Sequence, residues 1–268
     1  MKPLRKRGHV VRAALVLLAL LAFAVPAARA QTMDTIQKRG RLLVGIDLSV
    51  PPFGVTNAQM EPDGYDVQIA RMIAKDLGVP MELVPVTGAS RIPTLLTGKA
   101  DIIISVMSIS PERAKSVTFT NPYGLHQSII LAPKGTKIAT LADLAGKKVG
   151  VARGTAYEDF LAKANIPGLQ LVRFDDDSAN LNALVSGQVD AIGTVTFLAN
   201  ALSKRYPDGG FERKLTLFES VYSMAIRHGD ADFLRWLNLT IFYHDRNGDI
   251  PKLYEQWMGE PLKELPVF

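Results

Sequence analysis

Two stretches set hydroxyls, glycine and charge where they could grip an anion. In Ser105-Val106-Met107-Ser108-Ile109-Ser110-Pro111-Glu112-Arg113, three hydroxyls and an arginine follow Asp101-Ile102-Ile103-Ile104, an apolar run that reads as a buried strand. Ser110-Pro111-Glu112 has the order of a helix start: N-cap, proline at the first helical position, acid in the first turn. Arg113 then lies one turn in, and its planar guanidinium matches a carboxylate. A capped helix with a surface arginine is the other reading of the same residues. In the second stretch a strand at 147–152 runs into Gly154-Thr155-Ala156-Tyr157-Glu158, a T-x-x-E capping box ahead of a helix at 159–164. Gly154 lets backbone approach a ligand, and the helix start offers N–H groups to a small anion, although an ordinary well-capped helix uses Thr155 and Glu158 equally well. Neither a dinucleotide nor a P-loop fingerprint is present. His9, His126, His228 and His244 form no ligand-spaced cluster, so no metal and no cofactor are expected.

The first thirty residues stand apart. A basic leader, an apolar run at 13–25 and Ala28-Arg29-Ala30 form a cleavable secretory signal, the apolar run being too short to span a bilayer. Six of the 31 basic residues lie in this leader and no acid precedes Asp34. The remainder has 25 bases against 26 acids, a formal charge of −1, which removes the compositional case for nucleic-acid binding. With no cysteine, neither disulfides nor a lipidated cysteine can form, so a soluble exported product is expected.

The elements that must position these groups read as α/β. Residues 41–46 form a strand, Val50-Pro51-Pro52-Phe53 a rigid turn, and Gly64-Tyr65-Asp66 opens a helix with Ile69, Met72, Ile73 and Leu77 on its apolar face, ending at Gly78. A second strand follows at 81–86, and strand–helix–strand at this spacing implies parallel pairing. LLTGKADIIIS (95–105) and LVSGQVDAIGT (184–194) share the order helix end, glycine, aspartate, strand, hydroxyl, 89 residues apart. Such joints also recur by chance, but the pair suits two α/β lobes of similar topology. An extended run at 124–136 could carry the chain across. A strand at 223–226 and amphipathic helices around 234–242 and 251–258 could bring it back. The resulting division is lobe 1 at 31–124 and 222–268, lobe 2 at 129–219, and hinge segments at 125–128 and 220–221. Ligands of α/β proteins favour the crevice at the carboxyl ends of strands.

GYDVQIARMIAKDLG, GKADIIISVMSISPERAKSVTFTNPY, KKVGVARGTAYED and SGQVDAIG, in this order and spacing, resemble the periplasmic solute-binding proteins of polar amino-acid ABC transporters. The resemblance spans essentially the whole chain after the leader, with Gln68 standing where the family's signature usually has an acid. It implies a type II periplasmic-binding-protein fold: two α/β lobes joined by a two-segment hinge. The protein would be a periplasmic monomer that closes on one small carboxylate-bearing solute, a polar or acidic amino acid, and delivers it to an inner-membrane permease. It further implies that Arg113 and the Ser108 backbone N–H hold the α-carboxylate while Thr155 and Ala156 close from the other lobe. The resemblance also puts Val106, Met107 and Thr194 among the ligand-binding residues. The Ser90-Arg91-Ile92-Pro93 stretch resembles the branch for acidic ligands, where Arg91 faces a side-chain carboxylate; a solvated arginine at a helix start is the alternative. Arg153 is a further cation at the cleft edge, and Asp47 and Asp177 stand where that branch has basic groups.

One departure bears on the ligand. The family commonly ends the second repeat's strand with an aspartate that accepts the ligand's ammonium, and here Val195 occupies that place. Either Asp47 or Asp177 neutralises the ammonium, or the ligand has none, because an unpaired ammonium in a closed cleft is too costly. The rival function is an exported dehydratase acting on arogenate or prephenate, with Glu158 or Asp177 as general acid, but neither has a base partner fixed by spacing.

Overall fold

The computed structural model describes residues 32–206 and 210–267; the expected signal peptide, residues 1–30, lies outside the described residues. The chain opens with α1 (Thr32–Arg39) and β1 (Leu42–Ile46), followed by a small hairpin of β2 (Val55–Thr56) and β3 (Pro62–Asp63). Next come α2 (Tyr65–Asp76), β4 (Met81–Pro85), α3 (Arg91–Leu96), β5 (Ile102–Ile103) and the single-turn α4 (Pro111–Ala114). The long β6 (Thr118–Pro133) leads to β7 (Lys148–Ala152), α5 (Ala156–Lys163), β8 (Gln170–Phe174), α6 (Asp177–Val185), β9 (Ala191–Val195) and α7 (Thr196–Arg205). A second long strand, β10 (Phe211–Ile226), precedes α8 (Ala231–Arg246) and α9 (Asp249–Met258).

Eight strands form one mixed sheet in the order β4-β1-β5-β10-β6-β9-β7-β8. It has two parallel clusters of like topology, β4-β1-β5 and β9-β7-β8. The antiparallel pair β6/β10 connects them: β5 joins the carboxyl end of β10 through Ala225–Ile103, and β9 joins the later half of β6 from Ser128 to Leu131. The repeat seen at 95–105 and 184–194 thus marks equivalent strands, β5 and β9, one per cluster.

Burial follows from strand composition. Leu42, Val44 and Ile46 of β1 are fully enclosed, packed with Ile69 and Ile73 of α2; Val149 and Val151 of β7 are enclosed beside Leu161 of α5. Strands covered on both faces read as continuous apolar runs, which is why these were visible in the sequence. The long strands were only partly visible: β6 starts at Thr118 rather than near 124, and β10 extends fifteen residues back from Ile226 rather than three. The outer part of β10 alternates with Glu212, Lys214 and Glu219 and contains several register shifts, so no apolar run marks it.

Candidate functional site

A cavity of about 40 Å³ lies where the carboxyl ends of β1, β5, β7 and β9 converge, beside β6. β1 delivers Asp47, which is 6% exposed; its Oδ1 accepts from the Ser49 N–H (2.9 Å) and hydroxyl (2.7 Å). Burial nevertheless raises its pKa above the usual carboxylate range. Arg91 opens α3 and is also 6% exposed. It donates from Nη1 to the Ser105 carbonyl (2.9 Å) and from Nη2 to the Gly154 carbonyl (3.0 Å). Burial and then the neighbouring Arg113 charge lower its pKa to about 10, so it remains cationic at neutral pH.

After β5 the chain turns at Val106, whose φ of +39° is a conformation a β-branched residue seldom adopts. Its N–H donates to Asp66 Oδ2 (2.8 Å), while Asp66 Oδ1 accepts from the Tyr123 hydroxyl (2.7 Å). This buried carboxylate, pushed up to about 7 by burial, ties the Val106 turn to α2 and β6. Ser108 Oγ then meets His126 Nε2 at 2.9 Å. Burial, followed by the charges of Arg91 and Arg113, brings His126 down to about 4, so the imidazole is neutral at physiological pH.

From the other cluster, Thr155 caps α5 by accepting from the Glu158 N–H (3.3 Å). The helix therefore starts at Ala156, three residues before the expected start. Glu158 does not close the box on Thr155: its Oε2 accepts from the Gly154 N–H (2.7 Å) and its Oε1 from Arg173 Nε (2.7 Å). Tyr157 donates its hydroxyl to Asp177 Oδ1 (2.6 Å) at the start of α6. Burial raises Asp177 to about 6, against the lowering effect of that hydrogen bond, with Asp47 adding a smaller upward push.

Seven of the sequence-predicted residues line this cavity: Asp47, Arg91, Val106, Ser108, Thr155, Ala156 and Asp177. Four do not. Met107 is fully buried in a separate apolar cluster with Leu95, Ile103 and Val117, because the turn at Val106 sends the next side chain inward. Thr194 is enclosed on β9, where adjacent side chains take opposite faces and Val195 is the one that lines the cavity. Arg153 is half exposed and pairs with Asp175 at 3.6 Å. Arg113 sits beside the cavity, donating to the carbonyls of Ser108 (2.8 Å) and Gly154 (2.9 Å), with Asp159 at 3.4 Å. The capped single turn of α4 aims it there.

Sequence reading missed His126, Ser128 and Tyr157, and took Ser105 only as one of the three hydroxyls of its stretch. Ser105 Oγ, Ser128 Oγ and His126 Nδ1, atoms of residues that line the cavity, are buried with no hydrogen-bond partner among the described residues, whereas most such atoms in folded proteins have one. His126 and Ser128 lie on the crossing strand, where nothing in the local sequence separates a site residue from a strand residue. Among the described residues no group of three or more metal-binding side chains occurs, and no helix is long and apolar enough to cross a membrane.

Comparisons with known proteins agree with this geometry. Residues 42–260 match the family described as bacterial extracellular solute-binding proteins, family 3. The chain is 32% identical over 229 residues to the L-cystine-binding protein TcyJ of Escherichia coli (strain K12), covering 85% of this chain and 86% of that protein. It is 30% identical over 220 residues to ABC transporter arginine-binding protein 1 of the same strain, covering 81% and 90%. The solved structure of a solute receptor for L-cysteine from Neisseria gonorrhoeae superposes with a TM-score of 0.80 at 30% identity, covering 84% of this chain and 93% of that one. These relatives are binding proteins, and the chain is a binding protein rather than an enzyme. With a match across most of its length and the type II periplasmic-binding fold, the chain belongs to the bacterial extracellular solute-binding proteins, family 3.

Proposed function

We propose that the protein is the periplasmic substrate-binding component of an amino-acid ABC transporter, and that it takes a zwitterionic amino acid with a neutral or cationic polar side chain. The observation behind this reading is the charge set of the cavity: one buried guanidinium, Arg91, with Arg113 beside it, and two buried carboxylates, Asp47 and Asp177. An α-carboxylate suits the two arginines, since each guanidinium presents more donors than the two it spends on backbone carbonyls. An α-ammonium suits Asp177, replacing the acceptor that Val195 cannot supply. Asp47 then faces the side chain, and a second ligand carboxylate there would meet an uncompensated like charge. The acidic-ligand reading of Arg91 also weakens, because the donors it has left after Ser105 and Gly154 are given to the α-carboxylate. The unpartnered polar atoms of Ser105, His126 and Ser128 favour a side chain able to hydrogen bond.

Binding then drives closure. Arg91 and Arg113 repel one another, and a carboxylate held between them favours the state in which they converge, a population shift toward the closed form. We place the lobes at 31–124 with 222–268 and at 129–219, with hinges at 125–128 and 220–221 in β6 and β10, and an inner-membrane permease as the receiver. Thermal-shift measurement on protein unfolded and refolded to strip carried ligand tests the reading. L-Arginine, L-glutamine or L-cystine should raise Tm and L-glutamate should not; no shift with any amino acid contradicts it.

A further inference from the structure

Two glycines meet across the cleft. Gly88 lies in the turn before α3, and Gly154 follows β7 in the other cluster. A Cβ placed on Gly88 would lie 2.5 Å from the Arg153 carbonyl oxygen, and one placed on Gly154 would lie 2.5 Å from the Gly88 carbonyl carbon and 2.7 Å from the Ala89 nitrogen. The contact is backbone on backbone and admits no side chain from either partner. Gly154 has φ +75°, which favours glycine on conformational grounds alone. Gly88 lies outside that region, so its missing side chain is explained by the contact and not by its own backbone. The same approach brings the Gly154 carbonyl within reach of both Arg91 and Arg113.

We propose that Gly88 is a positioning residue for binding: its bare backbone sets how near the lobes come, allowing both guanidiniums to lock onto the Gly154 carbonyl and the cavity to shut. This rests on the ligand-driven closure proposed above. A methyl group at position 88 would act as a prop, held against Arg153 backbone that has no flexible end to yield. The closed state would be penalised, while the open state and the fold would be untouched. Ligand would still enter, but it would leave sooner.

The chain has no cysteine, so spin labels can be placed at Lys99→Cys and Gln188→Cys, two exposed positions at the equivalent helix–strand joints of the two clusters. Double electron–electron resonance is recorded with and without L-arginine or L-glutamine for wild type, Gly88→Ala and the control Gly135→Ala, whose added Cβ meets no atom within 4 Å. The expected result is a short-distance population in wild type and Gly135→Ala that Gly88→Ala lacks even at saturating amino acid. Dissociation should be faster and affinity about tenfold weaker or worse. Tm without ligand should equal the control's. Identical distance distributions in Gly88→Ala and wild type would overturn the proposal while leaving amino-acid binding intact. If neither amino acid bound wild type, the binding reading would fail. The ligand-free distributions would then decide, a short-distance fraction in wild type absent from Gly88→Ala supporting the prop and equal distributions refuting it.

Discussion

Arg91 and Arg113 aim at one atom: both donate from Nη2 to the carbonyl oxygen of Gly154, at 3.0 and 2.9 Å. Arg91 reaches it from the start of α3 and Arg113 from the single turn of α4, while Gly154 belongs to the opposite cluster. One buried and one half-buried cation meet at one oxygen, an arrangement that an added carboxylate would stabilise.

The two arginines should therefore differ in what their removal does. Arg91 lines the cavity and is nearly enclosed, so Arg91→Ala should weaken amino-acid binding by a factor of about 100 or more and lower Tm, since the Ser105 carbonyl loses its donor. Arg113→Ala should weaken binding comparably but cost less stability, because Arg113 lies at the cleft edge beside the exposed Asp159. Calorimetry with parallel thermal melts measures both; an unchanged affinity in Arg113→Ala would remove it from the carboxylate site.

Asp177 should trade stability for binding. Its folded pKa, about 6, is raised by burial, so the unliganded protein binds this proton more tightly than the unfolded chain does. That contribution to stability is present at acid pH and is lost as pH rises through about 6, the sign expected for a buried unpaired acid. Asp177→Asn should raise unliganded stability at neutral pH by on the order of 1–3 kcal/mol, retain the Tyr157 hydrogen bond and bind amino acids far more weakly. Denaturant melts at neutral pH check the first part, and a destabilised variant would contradict it.

The same carboxylate predicts how binding depends on pH. A ligand ammonium favours ionised Asp177, so the complex holds fewer protons than the free protein, and affinity should rise as pH increases toward about 6 and then level off. Calorimetry in buffers of different ionisation enthalpy should detect proton release below that pH. Proton uptake would refute the assignment of the ammonium to Asp177.

His244 should act as a charged staple. In the last turn of α8, its Nδ1 lies 2.6 Å from Asp249 at the start of α9 and its Nε2 2.7 Å from Asp76 at the end of α2. Two carboxylate partners require a proton on each nitrogen. Burial opposes that charge, and the hydrogen bonds to Asp249 and Asp76 outweigh it, so the pKa is raised. Its stabilising effect is present below the ordinary histidine pKa and is lost as pH rises through the raised value. His244→Gln should cost on the order of 1 kcal/mol near pH 6 and progressively less in alkaline solution, read from Tm against pH.

How much of this was legible in the sequence depended on whether the signal was local. Ser110-Pro111-Glu112 and Thr155 announced helix starts through their own chemistry, and both cap as expected. Asp47, Arg91 and Asp177 could be nominated from a resemblance, but their enclosure in one cavity required the packed structure. Met107 was misplaced because the φ reversal at Val106 depends on Asp66, forty residues earlier, and no local pattern signals it. His126 and Ser128 were missed because a crossing strand presents site and core residues in the same alternation. The Gly88–Gly154 contact joins two turns: Gly154 suggested a close approach to a ligand, not to another turn, and Gly88 alone reads as an ordinary loop glycine.

In the proposed site the cavity would read both ends of a zwitterion, the carboxylate by arginines and the ammonium by Asp177. Calorimetry of the refolded protein against an amino acid that shifts its Tm and the deaminated acid of the same side chain separates the two ends. One site per chain is expected for the amino acid, with a loss of at least about 100-fold for the deaminated acid, the cost of leaving a buried carboxylate unpaired. Equal affinity for the two compounds would contradict it.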